Sequence, residues 1–361
     1  MKKKQCVRIM LRWFGNAMMV LLPLLGNVGE HTPAFADVVT SKPMELRVSL
    51  STPPMAPPAY AVTTWAKEVE RRSGGIVKFT IFYASSLFPV NETLQAVKAG
   101  IADLSDCWHV EGTRVFPFAA ILNMPGLDWP GDPFKATLIL RELIRRFPMF
   151  TEQYQGLRVL YPVMFGESMS YLHAVRKPVK NLKDLKGFRM WAGGEIGQKL
   201  WARFGVIPIS LPYEDLFMAL ERGLIDGHEG TWGWMEGAGV LQLTPYHTEL
   251  GTVLRLTYQP LVMNPKTWER LPSAVKDIIY ELDEFYTNVR IKAELDKQTY
   301  YQKKAREEWG HTFIRLPQTE IEKLLREAKL FHKERIEEIE KFGVPLRIFY
   351  TTLCELIKSY K

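Results

Sequence analysis

Histidines, cysteines and carboxylates are the residues of this sequence that could carry catalytic or metal chemistry, and their spacing forms none of the motifs that support it. His228 and Glu229 begin like the HExxH helix of a zinc site, but the second histidine is missing. The seven histidines are scattered without ligand spacing, and no CxxC, GxSxG or Gly-rich phosphate loop occurs. No nucleophile can be paired with a base. We therefore expect no catalysis, no metal and no cofactor, and interpret the chain as a binding module.

The N-terminal segment accounts for much of the positive charge. Five basic residues precede an almost uninterrupted apolar run over 13–25, and the small-x-small triplet 34–36 follows. This layout predicts a signal peptide over 1–36, cleaved after Ala36, and hence an exported, periplasmic protein. Its removal takes away five basic residues and one acidic residue, so the formal net charge falls from +7 to +3. The charge then gives little support for nucleic-acid binding, and we expect none.

Length and composition indicate an ordinary globular chain. With 361 residues, 47% of them hydrophobic and 24% charged, about two domains with real cores are expected, and disordered and fibrous classes are excluded. Three cysteines are too few for a disulfide scaffold. Of the two that remain after export, Cys107 and Cys354, spacing alone allows either a disulfide or two small buried residues.

Hydrophobic periodicity places the elements that would build a binding site. The N-terminal part alternates between strands and helices: strand 45–50, helix 60–73, strand 76–83, helix 91–99 and strand 101–104. This order predicts an α/β layer with parallel strands. Such a layer binds ligands in a cleft at the strand ends, where helix N-termini direct N–H groups inward.

The alternation continues towards the C-terminus. We expect strands at 156–164, 188–192 and 206–210, and helices at 195–204, 213–221, 273–308, 318–341 and 346–358. The charges of 320–341 are interpreted as a solvated helical face.

Four segments of the chain, taken together, resemble one family. They are 65–75 (WAKEVERRSGG), 86–103 with AVKAGIAD at its end, 184–187 (DLKG), and 205–227, which contains LPYEDL and ALERGLIDG. Leu271-Pro272 before the long helix also fits. These residues resemble the periplasmic solute-binding subunits of tripartite ATP-independent periplasmic (TRAP) transporters, of the DctP type. The likeness spans about 45–300.

The resemblance implies an α/β, two-domain periplasmic-binding-protein-like fold with crossing strands and a long helix spanning both domains. Domain I would comprise 37–166 plus 256–294, and domain II 167–255 plus the C-terminal helices of 295–361. The domains would close over a small organic solute as a hinge, and the loaded form would dock on the small and large TRAP membrane subunits. We expect a monomer.

Two arginines that the family commonly uses to hold a substrate carboxylate are absent. The position four residues after Gly187 is Trp191, and the position of the second arginine corresponds to Ser170. Strand alternation puts Arg189 on the same face as Trp191, so Arg189 is either a displaced cation for the ligand or a surface cation.

Aromatic residues occupy the positions that face ligand in the family. Trp191 is interpreted as a pocket residue, with a core position as the alternative, and Tyr213 corresponds to an aromatic that flanks ligand. Trp108 and Glu111 follow the strand 101–104, where relatives contact ligand. His109 beside them is interpreted as a structural histidine.

The second ligand-facing loop follows Gly227. Trp232 and Trp234 lie there and are either core residues or pocket residues, while Glu229 could orient the loop. Weaker candidates are Ser51 at a strand end, Asn91 at a helix start and Gln259 at the crossing back to domain I.

The resulting hypothesis is an aromatic-lined cleft for a small organic solute with a flat or apolar body, and an organic acid is the expected class. The competing class is an exported enzyme or ligand sensor that reuses the same fold.

Overall fold

The computed structural model describes residues 42–109, 112–166, 171–192, 194–250, 256–341 and 343–360. The predicted signal peptide, Glu111 and Ser170 lie outside these ranges. No helix within them is long and apolar enough to cross a membrane.

The described chain mixes strands and helices along its whole length. The strands are β1 (Met44–Ser49), β2 (Val77–Phe82), β3 (Leu104–Asp106), β4 (Arg158–Leu160), β5 (Met164–Phe165), β6 (Tyr171–Ala174), β7 (Arg189–Trp191), β8 (Ile207–Pro208), β9 (Gly227–Glu229), β10 (Tyr246–Glu249), β11 (Thr257–Tyr258), β12 (Leu261–Met263) and β13 (Thr312–Arg315). The helices are α1 (Pro57–Arg72), α2 (Thr93–Lys98), α3 (Pro117–Leu122), α4 (Pro133–Arg146), α5 (Gly194–Ala202), α6 (Leu216–Glu221), α7 (Trp232–Gly237), α8 (Pro265–Arg270), α9 (Ser273–Glu281), α10 (Asp283–Glu307), α11 (Gln318–Glu340) and α12 (Leu346–Ser359).

The first sheet has five strands in the order β2-β1-β3-β12-β4. The strands β1, β2 and β3 run parallel, as the alternation predicted, whereas β12 lies antiparallel between β3 and β4. Helix α1 covers this sheet with a buried face that includes Val62, Trp65 and Val69. It begins at Pro57, earlier than predicted, because proline needs no N–H partner in the first turn of a helix.

The second sheet has six strands in the order β13-β10-β6-β9-β7-β8. Strands β7, β8 and β9 are parallel, while β6 runs antiparallel to both β9 and β10. The edge strand β13 pairs parallel with β10 and is supplied by the chain beyond the long helix.

Two crossing strands and a long helix connect the sheets. The chain passes through β5 on its way from the first sheet to the second and through β11 on its return, and these two strands pair antiparallel. Helix α10 packs against both α1 and α7, so it contacts the elements that cover each sheet. The predicted fold class is therefore confirmed.

The predicted helix over 273–308 is broken at Leu282 into α9 and α10. The hydroxyl of Tyr161 donates a hydrogen bond to the carbonyl of Ile279. In a continuous helix this carbonyl would accept from the N–H of Asp283, so the buried tyrosine competes with the helical bond at the break.

The two C-terminal helices, α11 and α12, complete the described fold. Helix α12 packs on α3 and α4, and α11 packs on α12.

The domain boundaries proposed from the resemblance stay a prediction. No disulfide joins Cys107 and Cys354 in the described part of the chain: Cys107 is buried, and Cys354 is half-buried on α12.

Candidate functional site

A cavity of about 800 Å³ lies where loops of both sheets meet α10. The first sheet contributes residues that follow β1 and β3, including Ser51 and Trp108. The second sheet contributes Trp191 at the end of β7 and the segment after β9. Helix α10 contributes Arg290 and Glu294. The cavity thus has three walls, and each wall is built by a separate part of the chain.

Trp108 is held in place by polar contacts behind its ring. Its indole Nε1 donates to Asp106 Oδ2 at 2.8 Å and also lies 2.5 Å from Ser51 Oγ. Asp106 also accepts from the Ser51 hydroxyl at 2.7 Å and from Gln259 at 3.3 Å. Burial raises the pKa of Asp106, although the bonds from Ser51 and Trp108 act against that rise. This network fixes the orientation of the Trp108 ring towards the cavity.

Four aromatic rings, which we call the aromatic cluster, are centred on Trp234. Trp108 stacks with Trp234 at 5.6 Å between centroids, and Tyr213 stacks with it at 5.0 Å and an interplanar angle of 3°. Trp191 packs against Trp234 at 5.2 Å, inclined by 50°. Because Trp108 follows a strand of the first sheet and the other three belong to the second, the cluster joins the two halves across the cavity.

The polar groups of the aromatic cluster form hydrogen bonds within the half of the structure to which each ring belongs. Tyr213 donates its hydroxyl to the carbonyl of Trp234 at 2.5 Å, and Trp191 Nε1 donates to the carbonyl of Leu211 at 3.1 Å. Burial raises the pKa of the Tyr213 hydroxyl, so this group stays a neutral donor at physiological pH. The four rings thus line the cavity mainly with apolar surface, and their faces stack on one another.

His109 lines the cavity in an unusual backbone conformation. Its φ is +56°, in the left-handed region that non-glycine residues enter rarely, although histidine does so more often than most. Its Nε2 lies 2.7 Å from the hydroxyl of Tyr154, and its ring stacks on Tyr258. Burial lowers the pKa of His109 to about 3, so the imidazole is neutral.

Helix α10 places a buried ion pair in the third wall. The guanidinium of Arg290 donates to Glu294 Oε2 at 3.2 Å, and both side chains are only 1% exposed. The face of the guanidinium covers the ring of Phe165, with Cζ 3.6 Å from the ring centroid. Glu294 also accepts a hydrogen bond from the hydroxyl of Thr231, the N-cap of α7.

Glu195, at the start of α5, makes a second polar link across the cavity. It accepts from the backbone N–H and the hydroxyl of Thr113, which belongs to the loop after β3, at 3.2 and 3.1 Å. It also pairs with the buried Arg335 of α11 at 3.2 Å and with Lys199 at 2.6 Å. The carboxylate is thereby neutralised by two cations.

The structure brings most of the predicted site residues together. The lining of the cavity includes Ser51, Asn91, Trp108, Trp191, Tyr213, Glu229 and Trp234. Glu229 also accepts from Trp201 Nε1 at 2.5 Å. This contact matches the orienting role considered for Glu229 in the sequence.

Three predicted residues lie elsewhere. The guanidinium of Arg189 pairs with Asp226, with nitrogen–oxygen distances of 3.0 and 2.6 Å, and Arg189 does not line the cavity. Trp232 is fully buried and stacks on Phe313. Gln259 is buried behind the wall, where it bonds Asp106.

Arg290 and Glu294 were not anticipated from the sequence. They occupy the buried stripe of α10 at helical spacing with Tyr286 and Ile291. Their opposite charges are four residues apart, but the same spacing recurs at Lys303–Glu307 and Lys304–Glu308, so this spacing does not distinguish them in the sequence.

Comparison with known proteins identifies the family. The family model described as "Bacterial extracellular solute-binding protein, family 7" (DctP) matches residues 48–338. A solute-binding protein of Verminephrobacter eiseniae is 28% identical over 235 residues, which cover 63% of this chain and 67% of the relative.

Solved structures share the fold. A marine metagenome TRAP solute-binding protein, specific for aromatic acid ligands and bound to 3-hydroxybenzoate, superposes with a TM-score of 0.78 at 21% identity, covering 89% of this chain and all of that one. A TRAP solute-binding protein of Rhodoferax ferrireducens in complex with copurified benzoate gives 0.77 at 20% identity, covering 88% and 98%. The chain belongs to bacterial extracellular solute-binding protein family 7, the DctP family.

Proposed function

We propose that this chain captures a small organic acid with a flat, aromatic body and delivers it to TRAP membrane subunits. The observation that carries this proposal is the aromatic cluster, whose four residues line a cavity of about 800 Å³. Offset stacking of a ligand ring on such side chains contributes about 0.5–1.5 kcal/mol beyond the burial of its apolar area. The aromatic acids bound by the two solved relatives agree with this choice.

Capture would occur by closure of the two domains predicted from the sequence. In the structure the halves already touch through Trp108 on Trp234 and through Thr113 on Glu195. A ligand that stacks between the halves would add to these contacts only in the closed form and would thereby shift the equilibrium towards it. We further propose that the protein is exported with its signal peptide removed, acts as a monomer and docks on both the small and large membrane subunits.

The test is to identify what the purified protein binds. Mass spectrometry of ligand released from the protein on unfolding is expected to show an aromatic carboxylate. Calorimetric titration with benzoate, 3-hydroxybenzoate, phenylacetate, succinate and pyruvate is expected to rank the three aromatic acids above the other two.

Substitutions in the aromatic cluster test whether ligand affinity depends on the residues that line the cavity. Trp191→Ala and Trp234→Ala are expected to weaken binding of an aromatic acid about tenfold or more, whereas Trp232→Phe, a change in the buried interior, should leave affinity nearly unchanged. Preference for succinate, or binding that survives Trp191→Ala and is lost in Arg189→Ala, would contradict the proposal. Turnover of a bound aromatic acid would instead favour an exported enzyme, and a neighbouring sensor-kinase gene would favour a sensor.

A further inference from the structure

We propose that Arg290, on helix α10, is the residue that holds the carboxylate of the ligand. This inference rests on the proposed function, because it assigns the anionic end of the same aromatic acid. It replaces the hypothesis that Arg189 supplies the displaced cation, since Arg189 is engaged with Asp226 outside the cavity.

The hydrogen-bonding capacity of Arg290 is largely unused. A guanidinium carries five N–H donors in a planar fork, and this one is 1% exposed. Its Nη1 donates to Glu294, whereas its Nη2 has no acceptor among the described residues. A buried donor without an acceptor costs free energy, and a charged one costs more. A carboxylate oxygen of a ligand would satisfy Nη2 with a charge-assisted bond.

The position of Arg290 matches the aromatic cluster. Its guanidinium lies over Phe165, and Phe165 packs edge-on against Trp108 with 6.0 Å between centroids. Trp108 in turn stacks on Trp234. The cation and the stacking faces are therefore separated by a single ring, Phe165. A ligand whose carboxylate is attached to a ring directly or through one carbon spans that separation.

The charges around the cavity favour one carboxylate and disfavour two. Among the described residues that line the cavity, Arg290 is the only lysine or arginine. Of the four glutamates that line it, Glu195 and Glu294 are paired with cations, and Glu214 and Glu229 are the other two. Glu294 neutralises Arg290 in the free protein and holds one side of its fork, which leaves the other side for the ligand. A second carboxylate would find no further lysine or arginine among the described lining residues. The structure thus assigns the ligand to the aryl or arylalkyl monocarboxylates.

The experiment compares acids with their uncharged amides. Benzoate with benzamide and phenylacetate with phenylacetamide are titrated into the wild-type protein, Arg290→Gln, the double variant Arg290→Gln/Glu294→Gln and the matched control Arg189→Gln. The wild type and Arg189→Gln are expected to prefer the acid over the amide by about tenfold to a hundredfold. Both Arg290 variants are expected to lose that preference while their affinity for the amide changes little. The double variant keeps the buried pair neutral, so it tests the idea even where the single variant fails to fold.

The outcomes separate this inference from the proposed function. An acid preference that persists in a folded Arg290 variant would overturn the role of Arg290 and leave the aromatic cleft intact. Equal wild-type affinity for acid and amide would overturn it as well. If the wild type binds none of the four compounds, the proposed function itself is contradicted, and the inference falls with it.

Discussion

Acidification is expected to destabilise this protein steeply, because of a row of histidines in the second sheet. His173 on β6 lies opposite His228 on β9 and His247 on β10. The Nδ1 atoms of His173 and His247 are 2.7 Å apart, and His247 Nε2 lies 2.9 Å from His311 Nδ1. The first three rings are fully buried, so two imidazolium charges cannot be accommodated side by side.

The direction of the effect follows from the pKa values. Burial, together with the neighbouring histidines, lowers the pKa of His173 to about 4, and it also lowers the pKa of His228 and His247; the guanidinium of Arg306 contributes at His247. The folded state therefore keeps these rings neutral while the unfolded chain takes up protons below about pH 6.5. A lowered histidine pKa stabilises the folded state fully above the unfolded pKa, and this stability is lost as the pH falls below it.

The expected loss of unfolding free energy on acidification is large compared with the stability of a typical domain. Each histidine that binds a proton only on unfolding contributes a slope of about 1.4 kcal/mol per pH unit, which amounts to about 2 kcal/mol between pH 6.5 and 5. Three such residues give about 6 kcal/mol, against a typical unfolding free energy of about 5–15 kcal/mol. The buried Asp106 has a raised pKa and acts in the opposite direction, but it is a single group.

Urea unfolding monitored by circular dichroism at pH 7, 6.5, 6, 5.5 and 5 measures the slope. His228→Leu is expected to reduce it by about 1.4 kcal/mol per pH unit relative to the wild type. Glu68→Gln is the matched control: two arginines lower the pKa of Glu68 to about 2, so its effect falls below about pH 4.5 and the slope above pH 5 stays unchanged. An unfolding free energy that is level between pH 6.5 and 5, or a His228→Leu slope equal to that of the wild type, would refute the reasoning.

Three further substitutions test the framework around the site. Gly227→Ala should lower the unfolding free energy by about 3 kcal/mol or prevent folding, because its Cβ would collide with the backbone carbonyl of His173, as a urea melt would show. Glu195→Gln should cost about 1–3 kcal/mol in the same melt, since it removes a partner of the buried Arg335. Arg189→Gln should cost less than about 1 kcal/mol, since its pair with Asp226 is partly exposed to solvent; a larger loss would show that this pair is structural.

Periodicity predicted many elements of the fold but not all of them, and the amphipathic helix α4 is among those left out. The strands and helices around α1 and the long helix follow alternation or helical spacing. All six residues of α3 are buried, so no polar face marks it as a helix. The break at Leu282 depends on Tyr161, which is remote in sequence, and local patterns contain no information about it.

Two of the predicted site residues show which details of the site the local sequence pattern could not predict. Arg189 and Trp191 share a face of β7, as alternation requires, but two residues of strand separate them by about 6.5 Å, and only Trp191 reaches the cavity.

The segment after Gly230 was interpreted as a loop, but it forms the helix α7. Residues two apart on a helix point in nearly opposite directions, so Trp232 enters the core while Trp234 faces the cavity.

The strand order has a consequence for how the chain acquires its structure. Strand β12 lies inside the first sheet between β3 and β4, yet about a hundred residues separate it from β4 along the chain; β13, at the edge of the second sheet, follows β10 by about sixty. Neither sheet is complete until most of the polypeptide has been synthesised. Such long-range pairing makes folding slow. For the export proposed above, that delay would be useful, because a chain that is still without its sheets can pass through a narrow translocation channel.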